Sequence, residues 1–167
     1  MIPQGGFFSH MIDCGDRGNF WVGLALEYLP EEVLNQNKDK IVFVDMANKD
    51  GCRLTRKFIE GKDIIILSEH ILPKHGAHEG EASVRYYIYV VLHEIAHAIN
   101  NHKSPKYDSL TKDEIDMQET EADEMALKWF NDHVSSQANP YMKLLSIEEI
   151  RTEMDKNKLL MEQLYGA

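Results

Sequence analysis

Residues 81–101 read EASVRYYIYVVLHEIAHAINN. The run holds no proline or glycine. Val84, Ile88, Val91, Leu92, Ile95 and Ile99 gather on one side at about 100° per residue, so the spacing predicts one long helix from Glu81 to Asn101. Opposite that stripe stand His93 and His97, with Glu94 beside the first. One face of the helix can pack on a sheet while the other looks into a cleft. On a helix, residues i and i+4 lie one above the other. Two imidazoles so placed can bind one tetrahedral zinc ion, and the adjacent glutamate can reach a water at the metal. Zinc needs neutral ring nitrogens, while Glu94 needs only to take a proton from water and pass it on.

A catalytic zinc site needs three protein ligands and an open position. The third candidate comes from a second helix, expected from Thr111 to His133, which starts acidic with Asp113, Glu114 and Asp116. Within it, Glu119-Thr120-Glu121-Ala122-Asp123 supplies the acids. Glu119 shares a face with Ile115, Ala122, Ala126 and Trp129, which makes it the inward carboxylate by periodicity. Glu121 lies with Met117, Glu124 and Lys128 on a more polar side and stays open as the alternative third ligand. Asp123, one turn beyond Glu119, could accept a hydrogen bond from a ligand imidazole and so fix its tautomer.

HEIAH followed on the next helix by ETEAD resembles the gluzincin metallopeptidases. Among these, small size and strands ahead of the active-site helix look most like the ImmA/IrrE-like family, bacterial and phage-associated peptidases of which several cleave a repressor. One position departs from that family, since Asp123 stands where it commonly has Asn. The resemblance covers residues 40–133 in order of elements and only the two motifs in residue identity. It implies a zincin-like domain with one zinc per chain on His93, His97 and Glu119, Glu94 as general base, and Asp123 behind a ligand histidine. The implied activity is hydrolysis of a peptide bond in a protein or peptide substrate, possible regulatory proteins included. The resemblance also implies an edge strand that holds extended substrate, for which Asp63–Ser68 is the candidate, with an interior strand as the other reading of so apolar a run. An oxyanion donor is implied too, and Tyr86, Tyr107, Tyr141 and His133 are the candidates. A second reading is a catalytically silent, zinc-stabilised module for protein binding or sensing. Glu94 speaks against it, because a structural zinc has no need of that acid.

The rest of the chain sets the fold class. Ile41–Met46, IVFVDM, reads as a strand, and Asn48-Lys49-Asp50-Gly51 as a turn. Cys52–Phe58 and Asp63–Ser68 read as two further strands about a turn at Glu60-Gly61-Lys62, which together predict an antiparallel meander. Residues 1–20 read as an irregular entry segment, Trp21–Leu29 as a short helix or strand, and Pro30-Glu31-Glu32 as a helix start. A third long helix is expected from Ser146 to Tyr165, with Ser146 and Glu149 as capping box and Gly166 past its end. The plan is α+β: a small antiparallel sheet, then the active-site helix and two further helices, in a single domain over 1–167.

Composition narrows the partners. Lys and Arg total 18 against 28 Asp and Glu, a net charge of -10, which argues against direct nucleic-acid or membrane binding. The N-terminus lacks a signal-peptide pattern, and no apolar run has membrane-spanning length, so a cytoplasmic protein is expected. Cys14 and Cys52 form no CxxC pair and read as buried or idle thiols. His70, His75 and His78 match no ligand spacing and read as a solvated loop. His102 reads as a carbonyl cap or packing residue rather than a ligand. Tyr86, Tyr87, Tyr89 and Trp129 read as core and cleft wall.

Overall fold

A computed structural model of the chain describes residues 11–46, 51–54, 61–73, 81–137 and 142–165. The element order is β1 (Ile12–Asp13), α1 (Gly15–Leu26), α2 (Glu31–Asn37), β2 (Ile41–Met46), β3 (Gly51–Leu54), β4 (Asp63–Ser68), a 3-10 turn (Glu69–Ile71), α3 (Glu81–Ile99), α4 (Lys112–Ser136) and α5 (Ile147–Tyr165). The α+β plan and the three long helices appear as expected. One detail differs near the N-terminus: part of the expected entry segment is ordered as β1 and the start of α1. Of the two readings of the run from Trp21, the helix is the one adopted, as the end of α1.

The sheet has the order β1-β2-β4-β3 and is mixed, not an antiparallel meander. β1 pairs parallel with β2, with Ile12 opposite Phe43. The parallel geometry demands a crossover, which α1 and α2 provide. β2 pairs parallel with β4, from Ile41 opposite Asp63 to Met46 opposite Ser68. Only β3 and β4 are antiparallel, with Gly51 opposite Leu67 and Leu54 opposite Ile64. The physical reason lies in β4. Its Asp63, Ile65, Ile66, Leu67 and Ser68 are all buried, so both faces are covered and the strand takes an interior place. The short β3, with Arg53 in it, is left at the edge. Of the two readings of Asp63–Ser68, edge or interior, the interior one holds.

α3 is the axis of the core. Tyr87, Ile88, Val91, Leu92, Ile95 and Ala96 are essentially inaccessible. α1 (Val22, Ala25, Leu26) and the sheet (Ile41, Phe43, Ile65, Leu67) also contribute to that core. α4 adds Ala122, Ala126 and Phe130, and its pairing with α3 is the most extensive between helices. A fully buried Leu, Ile or Phe stabilises by roughly 1.5–3 kcal/mol, so α3 carries a large share of the fold. α5 contributes little by comparison. Ile150 is buried in it, whereas Met154 and Leu159 stay 51% and 57% exposed. Polar ties moor this helix instead. Arg85, buried in α3, pairs with both Glu81 and Glu149. Ser146 and Glu149 form the expected capping box. Asn131 of α4 holds the backbone of Leu145 from both sides, donating to its carbonyl at 3.0 Å and accepting its N–H at 2.8 Å.

The start of α4 follows the same logic. The Thr111 hydroxyl accepts from the Glu114 N–H at 3.2 Å while the Glu114 carboxylate accepts from the Thr111 N–H at 2.8 Å. Among the described residues no helix is long and apolar enough to cross a membrane.

Candidate metal centre

α3 is enclosed more fully than its apolar stripe suggests, because helices and sheet pack on it together. The histidine face is accordingly a narrow seam between α3 and α4, not an open flank. The side chains of His93 and His97 are 14% and 13% exposed. Their Nε2 atoms point toward each other at 3.0 Å. Glu119 of α4 reaches across, with one carboxylate oxygen 3.4 Å from His93 Nε2 and the other 3.6 Å from His97 Nε2. Half of the Glu119 side chain remains exposed, so the seam opens to solvent on that side.

The donors fit a zinc ion. Ligands at about 2.0–2.1 Å in a tetrahedron stand about 3.3 Å apart. The separations of 3.0, 3.4 and 3.6 Å bracket that edge. Among the described residues, His93, His97 and Glu119 form the group of His, Cys, Asp or Glu that could hold a metal ion, with donor atoms within 4.8 Å of one another. Two imidazoles and one carboxylate are a borderline-soft set suited to zinc.

Each histidine offers Nε2 to this point and turns Nδ1 outward to a partner. His93 Nδ1 lies 2.9 Å from Asp123 Oδ1. The Tyr89 hydroxyl, 3.1 Å from the same ring nitrogen, donates to Asp123. Burial pushes the His93 pKa down, but Asp123, Glu119 and the charge of Glu94 outweigh it and raise the pKa to about 9. The hydrogen bond from His93 holds the Glu119 carboxyl below its ordinary range. Burial raises Asp123, but the hydrogen bonds from His93 and Tyr89 outweigh it and leave that carboxyl lowered as well. Burial, then Asp123, drives the Tyr89 hydroxyl upward, so it stays a donor.

On the other histidine, His97 Nδ1 lies 2.8 Å from Nδ1 of His102. His102 Nε2 lies 3.0 Å from Glu121 Oε2. Glu121 thus engages His102, while Glu119 faces the two Nε2 atoms. Glu94, next to His93 on α3, is half-buried.

Other residues singled out by sequence lie elsewhere. His133 stacks on Tyr28 with ring centroids 4.1 Å apart. It stands ten residues beyond Asp123 on α4, about 15 Å along a helix. Tyr107 is largely exposed, with Lys106 over its ring. Tyr86, Tyr87 and Trp129 are buried in the core, as expected. His70 sits on the 3-10 turn, where its N–H donates to the Ser68 hydroxyl. Tyr141, His75 and His78 lie outside the described residues, as does the side chain of Cys52. Cys14 is buried. Sequence reasoning missed two contributors, Tyr89 and His102. The first was legible as His93 minus one turn, and the second required the geometry of the helix end.

Residues 81–156 match the model of the family Peptidase U49. The matched stretch runs from the first residue of α3 into α5 and contains every residue of the cluster just described. The similarity is to a peptidase family and supports proteolytic activity. No curated protein and no solved structure matches the chain.

Proposed function

We propose that the chain is a zinc-dependent endopeptidase of gluzincin type. The observation that carries the reading is the meeting of His93 Nε2, His97 Nε2 and the Glu119 carboxylate across the α3–α4 seam. The Peptidase U49 similarity over the same helices supports it. Three protein donors are the number of a catalytic zinc site, where a structural site has four. Bound zinc would supply a Lewis acid that polarises the scissile carbonyl and acidifies water.

The chain's own residues divide the remaining work. His93, His97 and Glu119 would hold the ion. Asp123, with Tyr89 behind it, would keep the His93 hydrogen on Nδ1 and its Nε2 lone pair free. Glu94 would accept a proton from water at its carboxylate and return it to the amine of the leaving peptide. Substrate is an extended protein or peptide segment, for which the edge strand β3 offers backbone hydrogen-bonding groups.

The test compares wild type with Glu94→Gln, both loaded with zinc, on a whole proteome. New protein N-termini are then mapped by mass spectrometry. New N-termini with wild type and none with the variant are expected, at equal zinc content. The same new N-termini from both proteins would overturn the mechanism. Zinc at equal content with no cleavage by either would favour the silent binding module.

A further inference from the structure

The C-terminus of α3 is built to bring a third imidazole back onto the site. Asn101 adopts a left-handed backbone, φ 53°. The His102 N–H donates to the His97 carbonyl at 3.0 Å, and the Asn101 N–H donates to the Ala98 carbonyl at 3.2 Å. These two bonds are a Schellman cap, in which the residue past the left-handed position folds back over the last turn. Asn is, after Gly, the residue suited to that position. Such caps usually bring two apolar side chains together. Here they bring His102 against His97, with ring centroids 4.9 Å apart.

We propose that Glu121 and His102 are positioning residues that hold His97 in the tautomer its ligand role requires. The proposal rests on the zinc reading of the site. Its logic is the direction of the hydrogen bonds. Glu121 accepts, so His102 donates from Nε2 at 3.0 Å. That leaves His102 Nδ1 as an acceptor, and His97 donates to it from its own Nδ1 at 2.8 Å. A hydrogen on His97 Nδ1 leaves the lone pair on Nε2, the atom that faces His93 and Glu119. His102 is not itself a ligand in this arrangement. It meets His97 at Nδ1, whereas Glu119 approaches Nε2. The His102 side chain is 6% exposed, so water competes poorly for its Nδ1. His93 is held by a carboxylate directly. His97 is held by a carboxylate through an intervening imidazole, which the cap places between His97 and Glu121.

The experiment uses the full chain. Side-chain 15N shifts of the metal-free protein report the tautomer of His97, and competition with a chelator reports zinc affinity. Wild type should show the hydrogen on His97 Nδ1. His102→Ala should lose that preference and bind zinc roughly 10–100-fold more weakly, the usual effect of removing such a partner. His102→Asn places a side-chain carbonyl near the former Nδ1 and should restore most of both. Glu121→Ala should release the His102 tautomer and weaken zinc less. An unchanged His97 tautomer and unchanged affinity in His102→Ala would overturn the proposal, as would a folded His102→Asn no better than the alanine variant. If His102→Ala does not fold, the Asn and Glu121 variants decide. A wild type that binds no zinc would contradict the zinc reading. The relay would then stand or fall on the His97 tautomer alone.

Discussion

Gln118 holds the backbone of Lys103 from both sides: the Lys103 N–H donates to its Oε1 at 2.7 Å, and its Nε2 donates to the Lys103 carbonyl at 3.3 Å. Lys103 follows His102, and Gln118 precedes Glu119. One buried amide therefore locks the segment leaving α3 to the turn of α4 that carries the third donor. Asn131 does the same for Leu145 one end further along α4. Gln118→Ala would strand both backbone groups of Lys103. The unfolding free energy of the metal-free protein should fall by about 1–3 kcal/mol, read by denaturant titration. Zinc affinity should fall with it. An unchanged midpoint would show that the clamp contributes nothing.

Ala122 and Ala126 lie one turn apart on α4 and are fully buried. Small side chains there let α4 approach α3 closely, which is how Glu119 and Asp123 come within reach of the histidines. Ala122→Leu should cost about 1–3 kcal/mol by overpacking. It should also push Glu119 outward and weaken zinc binding. Tight zinc binding by a folded Ala122→Leu protein would contradict this account of the seam.

Tyr89 acts at one remove from His93. Tyr89→Phe keeps the ring and removes the donor to Asp123. Zinc affinity, measured by chelator competition, should fall about tenfold, and Asp123→Ala should fall further within the 10–100-fold range usual for such partners. Equal affinities across wild type and both variants would sever these residues from the site.

His133 makes a pH prediction away from the candidate metal centre. Burial against Tyr28 lowers its pKa, with the Glu27 charge and carbonyl opposing. The unfolded chain then binds this proton more readily than the folded one. The associated stability is present above the unfolded value of about 6.5 and is lost as pH falls through the lower folded value. His133→Phe keeps a ring for Tyr28 and removes the titration. The stability difference between wild type and variant should shift against wild type on acidification from about pH 7.5 to 5. A pH-independent difference would exclude the effect.

The cluster of the candidate site was largely legible in the sequence. His93 and His97 follow from helical spacing, and periodicity alone favoured Glu119, the residue that meets them, over Glu121. The capping box of α5, Ser146 with Glu149, was equally plain, because caps are local. What could not be read is what depends on distant segments. The pairing of β2 with β4 is non-local, and the turn-like Asn48–Gly51 suggested a hairpin that the sheet order does not use. The enclosure of α3 depends on three elements packing at once. His102, just past the predicted helix end, reads as a carbonyl cap or packing residue, because helical periodicity says nothing of where a residue beyond the last turn folds. The left-handed Asn101 breaks that helix and turns the imidazole back. Gln118 carries no sequence signal at all, since its partner is a backbone.

The most direct test of the account is the zinc content of purified wild type and Glu119→Gln after removal of adventitious metal and exposure to zinc. The account predicts about one zinc per chain in wild type and its loss or marked weakening in the variant. Wild type without zinc, or a variant that holds zinc as tightly as wild type, would contradict it.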